Sequence, residues 1–205
     1  MLGELIALKQ TSIGVAGTHG KTSTSSMVGA LLTYGKMDPT LVVGGLVKNL
    51  NTNSLLGQSD FIVVEADEFD KSFLEIKPTL AIINNIEEEH MDCYEDIDDL
   101  YKSFIKYANS VPFYGGVAVC IDSIGVQEIL PNIKRPIITY GISDQAYIKA
   151  KEINYNKHET SYNLYKNNKK CGKVKLNVPG KHNVVNSLAA ITIGFELGLG
   201  EKTVI

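Results

Sequence analysis

The stretch Ile13-Gly14-Val15-Ala16-Gly17-Thr18-His19-Gly20-Lys21-Thr22 decides the fold. A short apolar run stops at small residues, and Gly-Lys-Thr then opens a helix. This is how a phosphate-binding loop is built. Glycines let backbone N–H groups close around phosphate oxygens, the lysine reaches the terminal phosphates, and the threonine hydroxyl can hold Mg²⁺. The spacing departs from the common pattern, which wants a glycine five residues before Gly20. Val15 stands there, and the glycine sits at Gly17, in the shorter form Gly-Thr-His-Gly-Lys-Thr. The candidate nucleotide contacts are therefore Gly17, Thr18, His19, Gly20, Lys21, Thr22 and Ser23.

Around that loop the chain reads as alternating strands and helices. A short amphipathic helix is predicted over 2–9, a buried strand over 12–16 and a helix over 21–34. Further apolar runs at 40–44 (ending in Gly44-Gly45), 60–66 and 79–84 read as strands. The apolar stripe Ile97, Leu100, Tyr101, Phe104, Ile105 and Ala108 predicts a helix over 96–109. Strands follow at 116–121 and 136–140. Short apolar runs between helices imply an α/β fold with a mostly parallel sheet covered on both faces. From about residue 147 to 178 the texture turns polar and alternating, with Asn167-Asn168 as a turn signal. That predicts two or three antiparallel strands on the sheet's edge. A last helix is predicted over 183–198. Neither an internal repeat nor a low-complexity linker breaks the chain, so 1–205 reads as one domain.

The 205 residues are 44% apolar and 21% charged, with a net charge of −3. That balance argues against nucleic acid or an anionic membrane as partner, and no apolar run approaches the roughly 20 residues that span a bilayer. The N-terminus lacks a signal-peptide pattern. Cys93, Cys120 and Cys171 fit neither a zinc pattern nor a disulfide framework, which suggests reduced thiols and a cytoplasmic setting.

Ligands of parallel α/β sheets bind at the carboxyl ends of the strands. Besides the phosphate loop, two strand ends carry chemistry. Phe61-Ile62-Val63-Val64-Glu65-Ala66-Asp67-Glu68 ends an apolar run in acids, as nucleoside triphosphatases place a carboxylate near Mg²⁺. Glu65 is the first choice as metal ligand, ahead of Asp67 and Glu68; the plain alternative is a solvated acidic loop. Ile82-Ile83-Asn84-Asn85-Ile86-Glu87-Glu88-Glu89-His90-Met91-Asp92 sets a histidine after three glutamates. It suits a metal or substrate contact, or a surface histidine. In the last helix Asn183, Asn186, Ser187, Ala190 and Gly194 share one face, suited to close approach by an adenine edge or another helix. An asparagine at a helix start also reads as a cap.

Five segments in this order resemble the central ATP-binding domain of the Mur ligase family. They are Ala16–Thr22, Glu65-Ala66-Asp67-Glu68-Phe69-Asp70, Asn85–Asp92, Val111-Pro112-Phe113-Tyr114-Gly115 and Val178–Ala190. Within the family, Thr-His-Gly-Lys-Thr and Val-Pro-Phe-Tyr-Gly point to the member that adds L-alanine to UDP-N-acetylmuramate in peptidoglycan precursor synthesis. The tripeptide ligase of wall recycling shares the first motif. A folylpolyglutamate synthetase-like ligase is a further alternative.

The resemblance implies an ATP-dependent ligase working through an acyl phosphate, with ATP and Mg²⁺ as cofactors. It implies that Lys21 and Thr22 meet phosphate and Mg²⁺, that Glu65 holds Mg²⁺ and that His90 lies near a second metal ion. His182, Asn183 and Asn186 become nucleotide contacts, one asparagine meeting adenine. It further implies that this chain is the middle of three domains, inactive alone, with UDP-N-acetylmuramate and L-alanine held mainly by the other two. Lys102 and Lys106 give no clear match to a carbamylated lysine. A guanine-nucleotide switch would need Asn-Lys-x-Asp, and the nearest stretch, Asn168-Lys169-Lys170-Cys171, lacks the acid. A nucleotide-binding module without chemistry of its own is the remaining reading.

Overall fold

The computed structural model describes residues 9–47, 52–89 and 91–205; the helix expected over 2–9 and His90 lie outside the described residues. The first strand, β1 (Thr11–Ala16), is followed directly by the phosphate loop and helix α1 (Lys21–Tyr34). A hairpin of β2 (Thr40–Val47) and β3 (Thr52–Leu55) comes next, then β4 (Phe61–Glu65), β5 (Leu80–Ile83) and helix α2 (Ile97–Ser110). Strand β6 (Gly116–Cys120), helix α3 (Ile124–Ile129) and β7 (Ile137–Gly141) complete the parallel part. Strands β8 (Ile148–Tyr155), β9 (Thr160–Lys166) and β10 (Lys169–Leu176) precede helix α4 (Lys181–Glu196) and a last short turn of helix, α5 (Glu201–Val204).

All ten strands form one sheet in the order β10-β9-β8-β7-β6-β5-β1-β4-β2-β3. β1 lies between β4 and β5, both parallel to it, so the phosphate loop leaves the middle of the sheet. Alternation sorts the strand side chains to two faces. Ile13, Val15, Val63 and Ile82 join Val28 and Leu32 of α1 and Val184, Leu188 and Ile191 of α4 on one side. Ile62, Val64, Ala81 and Ile83 join Leu100 and Phe104 of α2 and Val126 of α3 on the other. Each buried Val, Leu, Ile or Phe side chain among them contributes about 1.5–3 kcal/mol. Gly14 faces the second layer, where a Cβ would come within 2.3 Å of the Tyr107 hydroxyl. Only a glycine lets α2 lie that close to β1.

The antiparallel addition is present as three strands, with β10 at one sheet edge. Asn167 and Asn168 both take positive φ (47° and 63°), the conformation a two-residue hairpin turn requires. Two expectations are corrected. The strand predicted to stop at Gly44-Gly45 continues to Val47 because β3 pairs with it, Val47 opposite Thr52. The last helix begins at Lys181, two residues early, and neither asparagine caps it: the cap is Gly180, at φ 107°, with no side-chain hydrogen bond. The small stripe of that helix divides in function. Gly194 packs against Leu31 of α1, while Ser187 meets the Tyr162 hydroxyl at 2.7 Å.

Candidate phosphate-loop site

The loop is shaped from below by the end of β5. Gly17 (φ 134°) lies so close to Asn84 and Asn85 that a Cβ would meet them at 3.0 Å. The Thr18 N–H donates to the Asn85 carbonyl at 3.1 Å, and the His19 N–H to the Asn85 side-chain oxygen at 2.7 Å. Asn84 donates to the His19 carbonyl and to the Thr24 hydroxyl, and accepts from the buried Tyr140 hydroxyl at 2.8 Å. The Thr18 hydroxyl accepts from the Glu87 N–H at 2.9 Å. These bonds pin the loop's shape without using the first N–H groups of α1, which have no acceptor inside the helix and point at the loop.

Three acids converge on the loop. The Thr22 hydroxyl donates to both Glu65 oxygens, at 2.9 and 3.0 Å, and Glu65 also accepts from the Gly44 N–H at 2.7 Å. The Lys21 ammonium donates to the Gly17 carbonyl at 3.0 Å and to Glu68 Oε2 at 2.7 Å, with Asp67 Oδ1 at 3.4 Å. Glu65, ranked first from the sequence, is thus beside Thr22, whereas Asp67 and Glu68 face Lys21. The His19 imidazole lies 3.2 Å from Glu89 and 3.7 Å from Glu87, exposed at the rim.

Beside the loop opens a cleft of about 860 Å³. His19, Gly20 and Ser23 line its loop end, and Lys181, His182 and Asn186 of α4 its far wall. Asn186 is buried, and its Oδ1 would lie 2.7 Å from a Cβ on Gly20, so helix and loop touch there. Asn183 is separated from this wall: its amide donates to the Pro179 carbonyl at 2.7 Å. Sequence reasoning missed Lys181 and Asp122, which also line the cleft. The strand-end rule reaches Asp122, which follows β6 and accepts from the N–H groups of Ile142 and Ser143. Cys120 borders the same space, its thiol pushed up to about 11 by burial, so it stays protonated at neutral pH. Asn168, the nearest match to a guanine-reading asparagine, instead sits in the β9–β10 turn and accepts from Lys149.

The donor set beside Thr22 suits Mg²⁺. Among the described residues, no three His, Cys, Asp or Glu side chains gather into a metal-binding group. One carboxylate and one hydroxyl, both oxygen donors, match the sparse protein ligation of Mg²⁺, which takes its remaining ligands from water and phosphate. Glu65 and Thr22 are the residues that would hold it.

A parallel sheet with a glycine-shaped loop, a lysine and a Thr–carboxylate pair at its strand ends defines a phosphate-loop α/β domain. Residues 15–194 match the Mur ligase middle domain, and the chain belongs to that family. It is 44% identical over 204 residues to the UDP-N-acetylmuramate–L-alanine ligase of Salinibacter ruber, covering all of this chain and 43% of that protein. Among solved structures it resembles the UDP-N-acetylmuramate:L-alanyl-gamma-D-glutamyl-meso-diaminopimelate ligase of Neisseria meningitides (TM-score 0.88, 28% identity, 99% of this chain and 66% of that one). It also resembles the UDP-N-acetylmuramate-alanine ligase of Thermotoga maritima (TM-score 0.84, 27% identity, 98% and 45%). The chain spans less than half the length of the alanine ligases it matches.

Proposed function

We propose that this chain is the middle, ATP-binding domain of a cytoplasmic ligase that joins L-alanine to UDP-N-acetylmuramate, a step of peptidoglycan precursor synthesis. The observation that carries the reading is the convergence of Lys21, Thr22 and Glu65 at the ends of β1 and β4 beside a cleft that Asn186 borders. The 44–46% identity to alanine ligases supports the choice of amino acid. On this reading both substrates are held mainly by parts of the enzyme outside these 205 residues, and the domain alone does not ligate.

The reaction runs in two balanced steps. The muramate carboxylate attacks the γ-phosphorus of ATP, the bond to the β-phosphate oxygen breaks, and an acyl phosphate and ADP form. The amine of L-alanine then attacks the acyl carbon, inorganic phosphate leaves, and the amine loses a proton. A carboxylate is a poor electrophile, and phosphorylation gives it a leaving group. The chain's share is alignment and charge neutralisation. Lys21 offsets charge on the transferring phosphoryl group, and the free N–H groups at the start of α1, from Lys21 to Ser23, with that of Gly20, cradle the phosphates, in a loop whose shape Gly17, Thr18 and His19 set through Asn85. Thr22 and Glu65 hold Mg²⁺, which when bound neutralises phosphate charge. His90 is assigned to a second metal ion. His182 and Asn186 are assigned to the nucleoside, and Asn186, which faces the cleft, is preferred over Asn183 for the base.

The recycling ligase is a second reading, favoured by the TM-score of 0.88 to the Neisseria enzyme. One assay separates them: ADP release by the full-length protein with UDP-N-acetylmuramate and either L-alanine or the tripeptide L-alanyl-γ-D-glutamyl-meso-diaminopimelate. Alanine-dependent release supports the first reading, and tripeptide-dependent release replaces it with the second. For this domain, a Mg²⁺-dependent thermal shift with ATP, larger than with GTP, is expected. Saturation at a hundred times the dissociation constant corresponds to about 2.7 kcal/mol. A GTP-selective shift would refute the ATP assignment.

A further inference from the structure

The Glu68 carboxylate has a use the reaction scheme does not assign. Its side chain is 2% exposed, yet it is a potential anion in the interior. Oε2 accepts from the Lys21 ammonium at 2.7 Å, while Oε1 is buried with no hydrogen-bond partner among the described residues. A buried carboxylate oxygen left unpaired is costly. The rest of the residue is fixed: the Tyr94 hydroxyl donates to the Glu68 carbonyl at 2.5 Å, and a 3-10 turn (Phe69–Glu75) starts directly after it. Within that turn the Lys71 ammonium is drawn to Asp99 at 2.7 Å and lies 5.1 Å over the Tyr94 ring. Glu68 is therefore held against Lys21 by a separate, well-bonded frame.

The three donors of Lys21 are not equivalent. One meets the Gly17 carbonyl and one meets Glu68, both inside the protein. The third faces Asp67, whose side chain is 60% exposed and whose oxygen is 3.4 Å away. An arriving phosphate can replace the loose Asp67 contact and leave the other two in place. We propose that Glu68 is a positioning residue: a fixed buried counter-charge that aims the Lys21 ammonium at the phosphate and competes with the nucleotide for its charge. It exchanges nucleotide affinity for alignment of the lysine. The proposal rests on the assignment of Lys21 to nucleotide phosphate.

The two parts of this role move opposite ways in Glu68→Gln, which keeps the shape and removes the charge. Without its counter-charge the ammonium is poorly paired in the free protein, and phosphate supplies what is missing. The expected results are a lower melting temperature without ligand, MgADP bound about 3–10-fold more tightly, and turnover slowed by about 10–100-fold, the range for residues that orient a ligating group from behind. Glu68→Asp retains the charge but draws it back by one methylene. It should leave MgADP affinity within twofold and still slow turnover. Asp67→Asn should tighten MgADP by less than Glu68→Gln does. A side chain that only fills space would give Glu68→Gln near-normal turnover, or weaker binding and slower turnover together; either result overturns the proposal. MgADP affinity is measured by calorimetry on the 205-residue chain and turnover on the full-length protein. A wild type that binds MgADP but makes no alanine-dependent ADP refutes the substrate assignment alone, because the affinity comparison between variants still decides the role of Glu68.

Discussion

Lys21 at the phosphate loop and Lys149 at the antiparallel edge both carry an ammonium group into the protein, with side chains or residues 12% and 2% exposed. Their partners differ in kind. Lys21 has two carboxylates within 3.4 Å. Lys149 donates to the Asp144 carbonyl and, at 2.9 Å, to the Asn168 side-chain oxygen, closing the β7–β8 loop onto the β9–β10 turn. The Asp144 carboxylate turns outward to Lys151 at 2.6 Å. An amine held by anions can exchange one of them for a phosphate, which is also an anion. An amine held by neutral dipoles between two turns has no carboxylate in direct contact to exchange and serves to fasten the edge. The same residue type is thus free to serve as the proposed ligand site in one place and is a clasp in the other.

The largest expected effect tests the first half of that contrast. Lys21→Ala should lower turnover of the full-length protein by at least about 10²–10³-fold, the cost of removing one group aimed at developing charge, and should abolish the Mg²⁺–ATP thermal shift of the domain. Activity within tenfold of wild type would remove Lys21 from the site. Lys149→Met keeps the stem and removes the charge. It should cost about 1–2 kcal/mol, because the exposed Asn168 oxygen can turn to water, or about 2–8 °C in melting temperature for a chain of this size. MgADP affinity should stay within twofold. A changed affinity would mean that the clasp is linked to the cleft, and the contrast would fail.

What the sequence allowed to be read follows the range of the interactions. The loop, β1 and α1 were legible because motif and apolar run lie within about twenty residues of each other. The hairpin turn was legible because Asn-Asn tolerates positive φ at both positions. α3 and β3 were not, since six and four residues are too few to show a period. In Tyr147-Ile148-Lys149-Ala150-Lys151 the lysine alternates with Ile148 and Ala150 and yet is as buried as they are. A sequence pattern does not reveal that two turns fold over Lys149, because cover is a tertiary property. Glu68 stood among the weaker metal candidates for the same reason: its partner lies 47 positions earlier, and only the parallel pairing of β1 with β4 brings them together. Asn183 and Asn186 are indistinguishable by composition, and the helix start at Lys181 determines which one meets the loop.

The smallest effect separates the clasp from the ion pair beside it. The hydrogen bond and charge of Lys151, with a smaller contribution from the Lys149 charge, hold the Asp144 carboxyl below its ordinary value of 3.8. A carboxylate whose pKa is lower in the folded state stabilises the fold above its unfolded pKa, and that stabilisation disappears as pH falls through the folded value. Asp144→Asn should therefore melt slightly below wild type at pH 7, and the gap should close as the pH is lowered past 3.8. Because the pair is exposed, 0.5 M salt should also narrow the gap. The Asp144 carbonyl survives this substitution, so the Lys149 clasp is intact in it. Lys149→Met, by contrast, removes mainly bonds to neutral oxygens, and most of its melting deficit should persist across the same range of acid and salt. If instead the Lys149→Met deficit vanished in acid or salt, the Lys149 ammonium would be acting through the Asp144 charge, and the two lysines would be held by the same kind of partner after all.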